Sequence, residues 1–265
     1  MIAVIQLSNL DLAAAAGLVL LAGLISLGLR LGVTSRLLVA SGRTVVQLGL
    51  LGLVLEWVFA LDQWWIVLAL LSSMVINAGF AAVRRTGWRF RGIWQTGLVA
   101  VTVSSVLVTA VVTEVVVGVE PWYRPQYVIP LMGMVLGNSL TGISLSLDRV
   151  MSELHTRRAE VEGALALGAT AWEATRPILS EAVKTGLVPI LNAMTVAGIV
   201  SLPGMMTGQI LAGSPPMEAV RYQIVVMFMI AGAAALGSLL ASLLAWRRLR
   251  TVDHQIRFDT LRRVP

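Results

Sequence analysis

The sequence predicts an all-α polytopic transmembrane bundle of about seven spans, on the grounds of its composition, its long apolar runs and the placement of its basic residues. Of the 265 residues, 57% are hydrophobic and 13% are charged, whereas soluble domains carry about 25% charged residues. The apolar runs follow one another with short polar breaks. We therefore expect residues 1–265 to form a single domain embedded in a lipid bilayer.

The seven spans are predicted from runs of about 20 mostly apolar residues, the length a helix needs to cross the hydrocarbon core. Such runs occur near residues 10–29, 37–60, 64–83, 93–119, 128–147, 187–212 and 223–246. Most Trp and Tyr residues fall at the ends of these runs, where interfacial anchors are found.

The basic residues predict the orientation, because cytoplasmic segments collect Lys and Arg. With the N-terminus outside and the C-terminus in the cytoplasm, Arg124 and Arg221 are the only two of the 20 basic residues on the outer side. This frame places a loop at about 148–184 and a tail at about 247–265 in the cytoplasm, and we expect a bacterial inner membrane. Since the basic residues punctuate apolar runs and form no patch on a soluble face, the net charge of +6 does not indicate nucleic-acid binding.

The cytoplasmic loop between spans five and six mixes both charge signs with apolar residues at helical spacing, which predicts one or two amphipathic helices with a break near Gly168. The stretch from Glu162 to Gly168 is similar to the EAA-type loop of ABC-transporter permeases, although Ser180 and Glu181 stand where that family has Leu-Pro. The resemblance implies a coupling helix that docks into a separate ATPase subunit. The residues assigned to it are Arg158, Glu162, Gly163, Ala164 and Gly168. An amphipathic helix lying on the headgroups is the alternative.

A Pro-Gly pair, Pro203-Gly204, and Gly208 interrupt the otherwise apolar sixth span. Proline removes a helical hydrogen bond, and broken backbone is tolerated in a membrane only where it is buried or lines a wet cavity. We therefore expect either a broken helix that builds a transport site or a kinked helix whose small residues allow close packing.

Methionines are abundant beyond this break, close to Gln209 and Gln223. Thioethers favour soft cations and amide oxygens harder ones, but methionine is also a common gap-filler in cores. Whether this segment binds a metal stays open.

Charged groups inside predicted spans usually face a bundle interior or an aqueous cavity, and Arg43, Glu56 and Glu114 are of this kind. Arg43 and Gln47 share a helix face, which fits a polar stripe along a pathway, whereas snorkelling to the interface is the alternative. The candidate pathway residues are Arg43, Gln47, Asn138, Asn192, Pro203, Gly204, Met205, Met206, Thr207, Gln209, Gln223 and Met227.

Four segments together resemble the FetB-type permease family. They read EPWYRPQY at 120–127, IPLMGMVLGN at 129–138, SLPGMMTGQILAG at 201–213 and YQIVVMFM at 222–229. That family is linked to ABC-type iron export in bacteria, and its plant relatives to aluminium tolerance. The resemblance implies a permease that forms a homodimer, pairs with an ABC ATPase and exports a metal ion or an associated small solute.

The chain itself is not expected to be an enzyme or to bind a cofactor. A phosphate-binding loop ends in Gly-Lys-Ser/Thr, but the one lysine, Lys184, follows Val183, so ATP-Mg is expected on the partner subunit. A stand-alone secondary transporter or channel is the alternative function.

Overall fold

The computed structural model describes residues 8–251 and 255–264, and this part of the chain is predominantly helical. The helices are α1 (Asn9–Gly28), α2 (Thr34–Leu61), α3 (Trp64–Arg84), α4 (Ile93–Val111), α5 (Pro125–Thr156), α6 (Arg158–Ala166), α7 (Ala171–Val196), α8 (Gly204–Leu211) and α9 (Pro216–Leu249). A π-helical turn, Val112–Val117, extends α4, and a 3₁₀ turn spans Phe258–Thr260. Two short strands, β1 (Trp88–Arg89) and β2 (Arg262–Arg263), pair antiparallel.

Local sequence signals explain several helix ends. A capping box begins α7: the Thr170 side chain accepts a hydrogen bond from the Glu173 backbone N–H, and the Glu173 carboxylate accepts one from the Thr170 N–H. Pro125 occupies the first turn of α5, where its missing N–H costs nothing.

Six helices of the described residues are long and apolar enough to cross a membrane, which confirms the polytopic all-α class. They are α1, α2, α3, α4 with its π-helical turn, α5 and α9. The predicted single span at 187–212 is wrong, because α7 ends at Val196 and α8 starts only at Gly204. Ala197 is extended and Gly198 has φ +80°, so the helical hydrogen bonds cannot continue.

Helix α7 begins at Ala171, well before the predicted start of the sixth span at residue 187. It carries Glu173, Arg176, Glu181 and Lys184, which separates α7 from the six apolar helices. It nevertheless packs along α5 and α9. Ile178 lies in the core cluster that contains Leu154 of α5, whereas Ile190 lies in the cluster that contains Leu131 near the start of α5. Helix α7 thus runs antiparallel to α5 through most of the bundle.

The centre of the bundle is α5, which packs against α3, α4, α7 and α9. Small residues allow the closest approach: Gly142 of α5, Gly186 of α7 and Ser238 of α9 lie against one another. The α1–α2 hairpin stands apart, since α2 buries only Val58 and leaves the rest of its length half-exposed or exposed.

The ends of α3, α5 and α9 come together with α6, β1 and β2 at one end of the bundle, which we call the basic end. Its defining residues are Arg84, Arg85, Arg89, Arg91, Arg149, Arg157, Arg158, Arg247, Arg248, Arg262 and Arg263. The other end, called here the opposite end, holds the α2–α3 turn and the segments before α5 and α9.

Candidate functional site: the short helix at the basic end and the cavities beside the broken segment

Helix α6 is a nine-residue helix that follows α5 after a single residue, Arg157. Gly168 then adopts φ +93°, a conformation that favours glycine, and the chain turns into α7. The predicted break near Gly168 is confirmed. The coupling-helix expectation for residues 157–168 thus falls on one discrete helix and the turn that ends it.

One face of α6 is fixed to the bundle and the other is free. Val161 is buried and Leu165 packs against the same core. On the exposed side the Arg158 Nε donates to the Glu162 Oε1 at 2.8 Å. Arg157, just before the helix, donates to the Glu160 carboxylate, and these bonds raise the pKa of the guanidinium.

The predicted coupling residues lie together, and the sequence reasoning missed a neighbour. Arg158, Glu162, Gly163 and Ala164 are all on α6, with Gly168 in the turn behind it. Leu167 caps the helix with 92% of its surface exposed. Single exposed apolar side chains are common on protein surfaces, so the interest of Leu167 is that it adjoins the predicted coupling residues. Its position at the end of the Glu162–Gly168 stretch was the available signal.

The second candidate site surrounds the broken segment. Residues 197–203 are non-helical, and the Gly198 N–H donates to the Ser201 carbonyl oxygen. The expected break in the helix is therefore confirmed, and the alternative of a continuous kinked helix is wrong. The break lies at 197–203, before Gly204, whereas Gly208 sits inside α8.

Two cavities flank α8. The first, which we call the α7–α9 cavity, has a volume of about 490 Å³ and is lined by Met194, Pro203, Met206, Gln223, Met227 and neighbouring apolar side chains. The second, the α5–α9 cavity, has about 450 Å³ and includes Met205, Gln209, Tyr127, Tyr222 and Met134. The thioethers and the two glutamines predicted from sequence thus line two adjoining spaces.

Gln223 is the most constrained polar group of this region. It is 7% exposed and its Oε1 has no hydrogen-bond partner; the Gln209 Oε1 is likewise buried without one. An unpaired buried amide oxygen costs free energy. A ligand or solvent molecule in the cavity that donates a hydrogen bond would recover this cost.

Other predicted pathway residues do not join these cavities. Arg43 and Gln47 are exposed on α2, Asn192 is exposed on α7, and the exposed Asn138 amide donates to the Met134 carbonyl oxygen of its own helix. Gly204 starts α8, and the Thr207 hydroxyl donates to the Pro203 carbonyl oxygen.

The two glutamates expected inside spans lie at the protein surface. Glu56 is exposed on α2, and Glu114 is exposed in the π-helical turn, where it lines a cavity of about 380 Å³ between α3, α4 and α5. No cluster of three or more His, Asp or Glu side chains able to hold a metal occurs in residues 8–251 and 255–264. His254 lies outside the described residues, and the His155 ring stacks on Trp88.

Residues 9–250 match the model of the family described as "Uncharacterised protein family (UPF0014)". The chain belongs to the UPF0014 family of membrane proteins. A relative named FetB aligns with 95% of this chain, which confirms the resemblance to FetB-type permeases.

Three relatives illustrate the range of the UPF0014 family. The chain is 30% identical to the "Probable iron export permease protein FetB" of Escherichia coli K12, over 95% of this chain and 95% of that protein. It is 35% identical to "Protein ALUMINUM SENSITIVE 3" of Arabidopsis thaliana over 92% and 88%. It is 36% identical to the "UPF0014 membrane protein slr1647" of Synechocystis over 85% and 87%. No solved structure matches the chain.

Proposed function

We propose that this chain is the permease subunit of an ABC exporter in a bacterial inner membrane, moving a metal ion or an associated small solute out of the cytoplasm. A separate subunit binds ATP-Mg and hydrolyses ATP, and two copies of this chain form the pathway between them. The observation that carries the proposal is α6, a short helix with one buried face, an exposed ion pair and the exposed Leu167 at its end. The relative named as an iron export permease supports the metal.

The basic end is the cytoplasmic end under this proposal, in accord with the distribution of Lys and Arg. ATP binding would draw the two α6 helices of the homodimer together, and the rigid packing of α5 against α7 and α9 would carry the movement to the cavities around α8. The broken segment supplies non-helical backbone next to a cavity, a common feature of transport sites.

The docking role is tested by Glu162→Lys in the complex of permease and ATPase. Both partners of the Arg158–Glu162 pair are about half exposed, and exposed ion pairs contribute at most about 1 kcal/mol. The variant should therefore fold normally, yet lose co-purification with the ATPase and transport-coupled ATP hydrolysis. Glu181→Lys is the matched control, since Glu181 is similarly exposed on α7 beside Lys184.

Two results would contradict the proposal: normal coupling in Glu162→Lys, or transport by the purified chain without any ATPase. The second result would favour a stand-alone secondary transporter or channel built on the same cavities. The substrate is identified by reconstituting the pair and measuring ATPase stimulation by Fe²⁺, Al³⁺ and a set of organic solutes. Uptake into inside-out vesicles then gives the direction of transport.

A further inference from the structure

Residues 255–264 fold back from the end of α9 and contact α6 through Phe258. Ile256 and Leu261 are buried in the core cluster that contains Leu154 of α5 and Val161 of α6, and Phe258 packs against the same cluster. The predicted cytoplasmic tail is thus a folded part of the basic end. The family match ends at residue 250, so this segment follows the matched region.

The segment is fixed to the bundle by backbone hydrogen bonds on both sides of Phe258. The Arg257 N–H donates to the Leu249 carbonyl oxygen at the end of α9, at 2.7 Å. Strand β2 pairs with β1, and the Val264 N–H donates to the Gly87 carbonyl oxygen at 2.8 Å. Strand β1 is held in turn, because Trp88 stacks on His155 and the Gly87 N–H donates to the Asp148 carboxylate.

Phe258 links this anchored segment to α6. The Arg158 guanidinium lies 5.1 Å from the centre of the Phe258 ring, a cation–π contact. The same guanidinium binds Glu162 one turn along α6. Phe258 therefore orients the Arg158 side chain, which forms the ion pair on the exposed face of α6.

Helix α6 needs such support because it has nine residues, and isolated helices shorter than about 12 residues are marginal in water. It has no side-chain cap at its N-terminus. Its conformation depends on Val161, Leu165 and the contacts that cover them.

We infer that residues 255–264 form a brace that positions α6 and that the ATPase docks on a composite surface of both segments, with Phe258 as a positioning residue. This inference rests on the proposed coupling role of α6. It adds that the docking surface is incomplete without the C-terminal segment, whose Arg262 and Arg263 are exposed in β2.

The first test measures hydrogen exchange in the free permease and requires no ATPase. In full-length protein in detergent, Phe258→Ala should raise the amide hydrogen-exchange rate of residues 158–166 at least about tenfold, and Phe258→Tyr should restore it. A chain ending at Thr251, which also loses Ile256 and Leu261 from the core, should show an increase at least as large as that of Phe258→Ala. Phe80→Ala is the control, because Phe80 packs on Trp94 between α3 and α4 and should leave exchange in α6 unchanged.

The second test measures the binding of the ATPase to the permease. Phe258→Ala should weaken ATPase association at least about fivefold, with recovery in Phe258→Tyr. Unchanged exchange in α6 in both Phe258→Ala and the shortened chain would overturn the brace. Faster exchange with unaltered association of the ATPase would overturn the composite surface. If the wild-type chain binds no ATPase, the proposed function fails, whereas the exchange result still decides the brace.

Discussion

The contact between α5, α7 and α9 gives a quantitative prediction for Gly186→Ala. A Cβ at Gly186 would lie 2.7 Å from the Gly142 carbonyl oxygen and 2.5 Å from the Ser238 Oγ, and would also meet the Ser146 Oγ. The serine side chains can rotate, but the Gly142 oxygen belongs to the backbone of α5. Ordinary contact begins at 3.4 Å, so α5 and α7 must separate by about 0.7 Å.

The expected cost follows from overpacking a rigid contact, which is about 1–3 kcal/mol, or a factor of about 5 to 150 in the folding equilibrium. Alanine also favours a helix over glycine by up to about 1 kcal/mol, which opposes this cost. Gly232→Ala on α9 separates the two effects: it has the gain in helix preference without the steric cost, because a Cβ there meets nothing within 4 Å.

The measurement is reversible unfolding in mixed micelles of increasing SDS fraction, followed by tryptophan fluorescence and circular dichroism. Gly186→Ala should unfold at a lower SDS fraction than Gly232→Ala, with a difference of about 1–3 kcal/mol. Equal unfolding free energies for the two variants would refute the close approach of α5 and α7.

Three further predictions concern the ends of α6 and α7 and the α7–α9 cavity. Gly168→Ala should weaken ATPase coupling because φ is +93° there, whereas Gly137→Ala, in open space on α5, should leave it unchanged. Equal coupled ATPase rates in the two variants would contradict a required glycine turn after α6. Gln223→Leu should leave stability unchanged or raise it by about 1 kcal/mol by removing an unpaired buried oxygen, yet reduce transport; retained transport would exclude a substrate contact. Hydrogen bonds from Thr170 lower the pKa of Glu173, so its capping contribution is complete above the ordinary glutamate pKa and is lost as the pH falls through the lowered value. The protection factors of the amides at residues 171–175, which correct for the pH dependence of intrinsic exchange, should accordingly fall in acid, and Glu173→Ala should show the lower protection already at neutral pH. Protection that does not change with pH in the wild type would contradict the cap.

Most helix positions followed from local sequence, because hydropathy over about 20 residues and nearby capping groups act within one segment. The predicted spans at 64–83 and 223–246 correspond to α3 and α9. The sixth span was wrong because hydropathy averages over Gly198 and Pro203 and takes no account of backbone geometry. Its charged first half, with Arg176 and Lys184, reads as a polar loop although it packs beside α5 and α9.

The candidate sites likewise contain some residues that local sequence could identify and others that only the packing of helices could. Glu162 and Gly168 could be assigned from sequence because the helix and its stop signal are local. Phe258 could not be assigned from sequence, because it lies far from Arg158 in the chain and reaches it only when α7 and α9 have packed. Gln223 was selected from sequence as a polar group in an apolar span, but its burial without a partner depends on α8 lying against α9.

By itself the sequence determined that this chain is a helical membrane protein of the FetB-like family with a short helix after its fifth span. The tertiary structure alone decided that α7 runs antiparallel to α5, that α8 lies between two cavities and that the C-terminal segment contacts α6 through Phe258. The physical reason is that hydropathy, capping and turn preferences are properties of neighbouring residues. Contacts between distant segments depend on how whole helices pack, and no single segment encodes that packing.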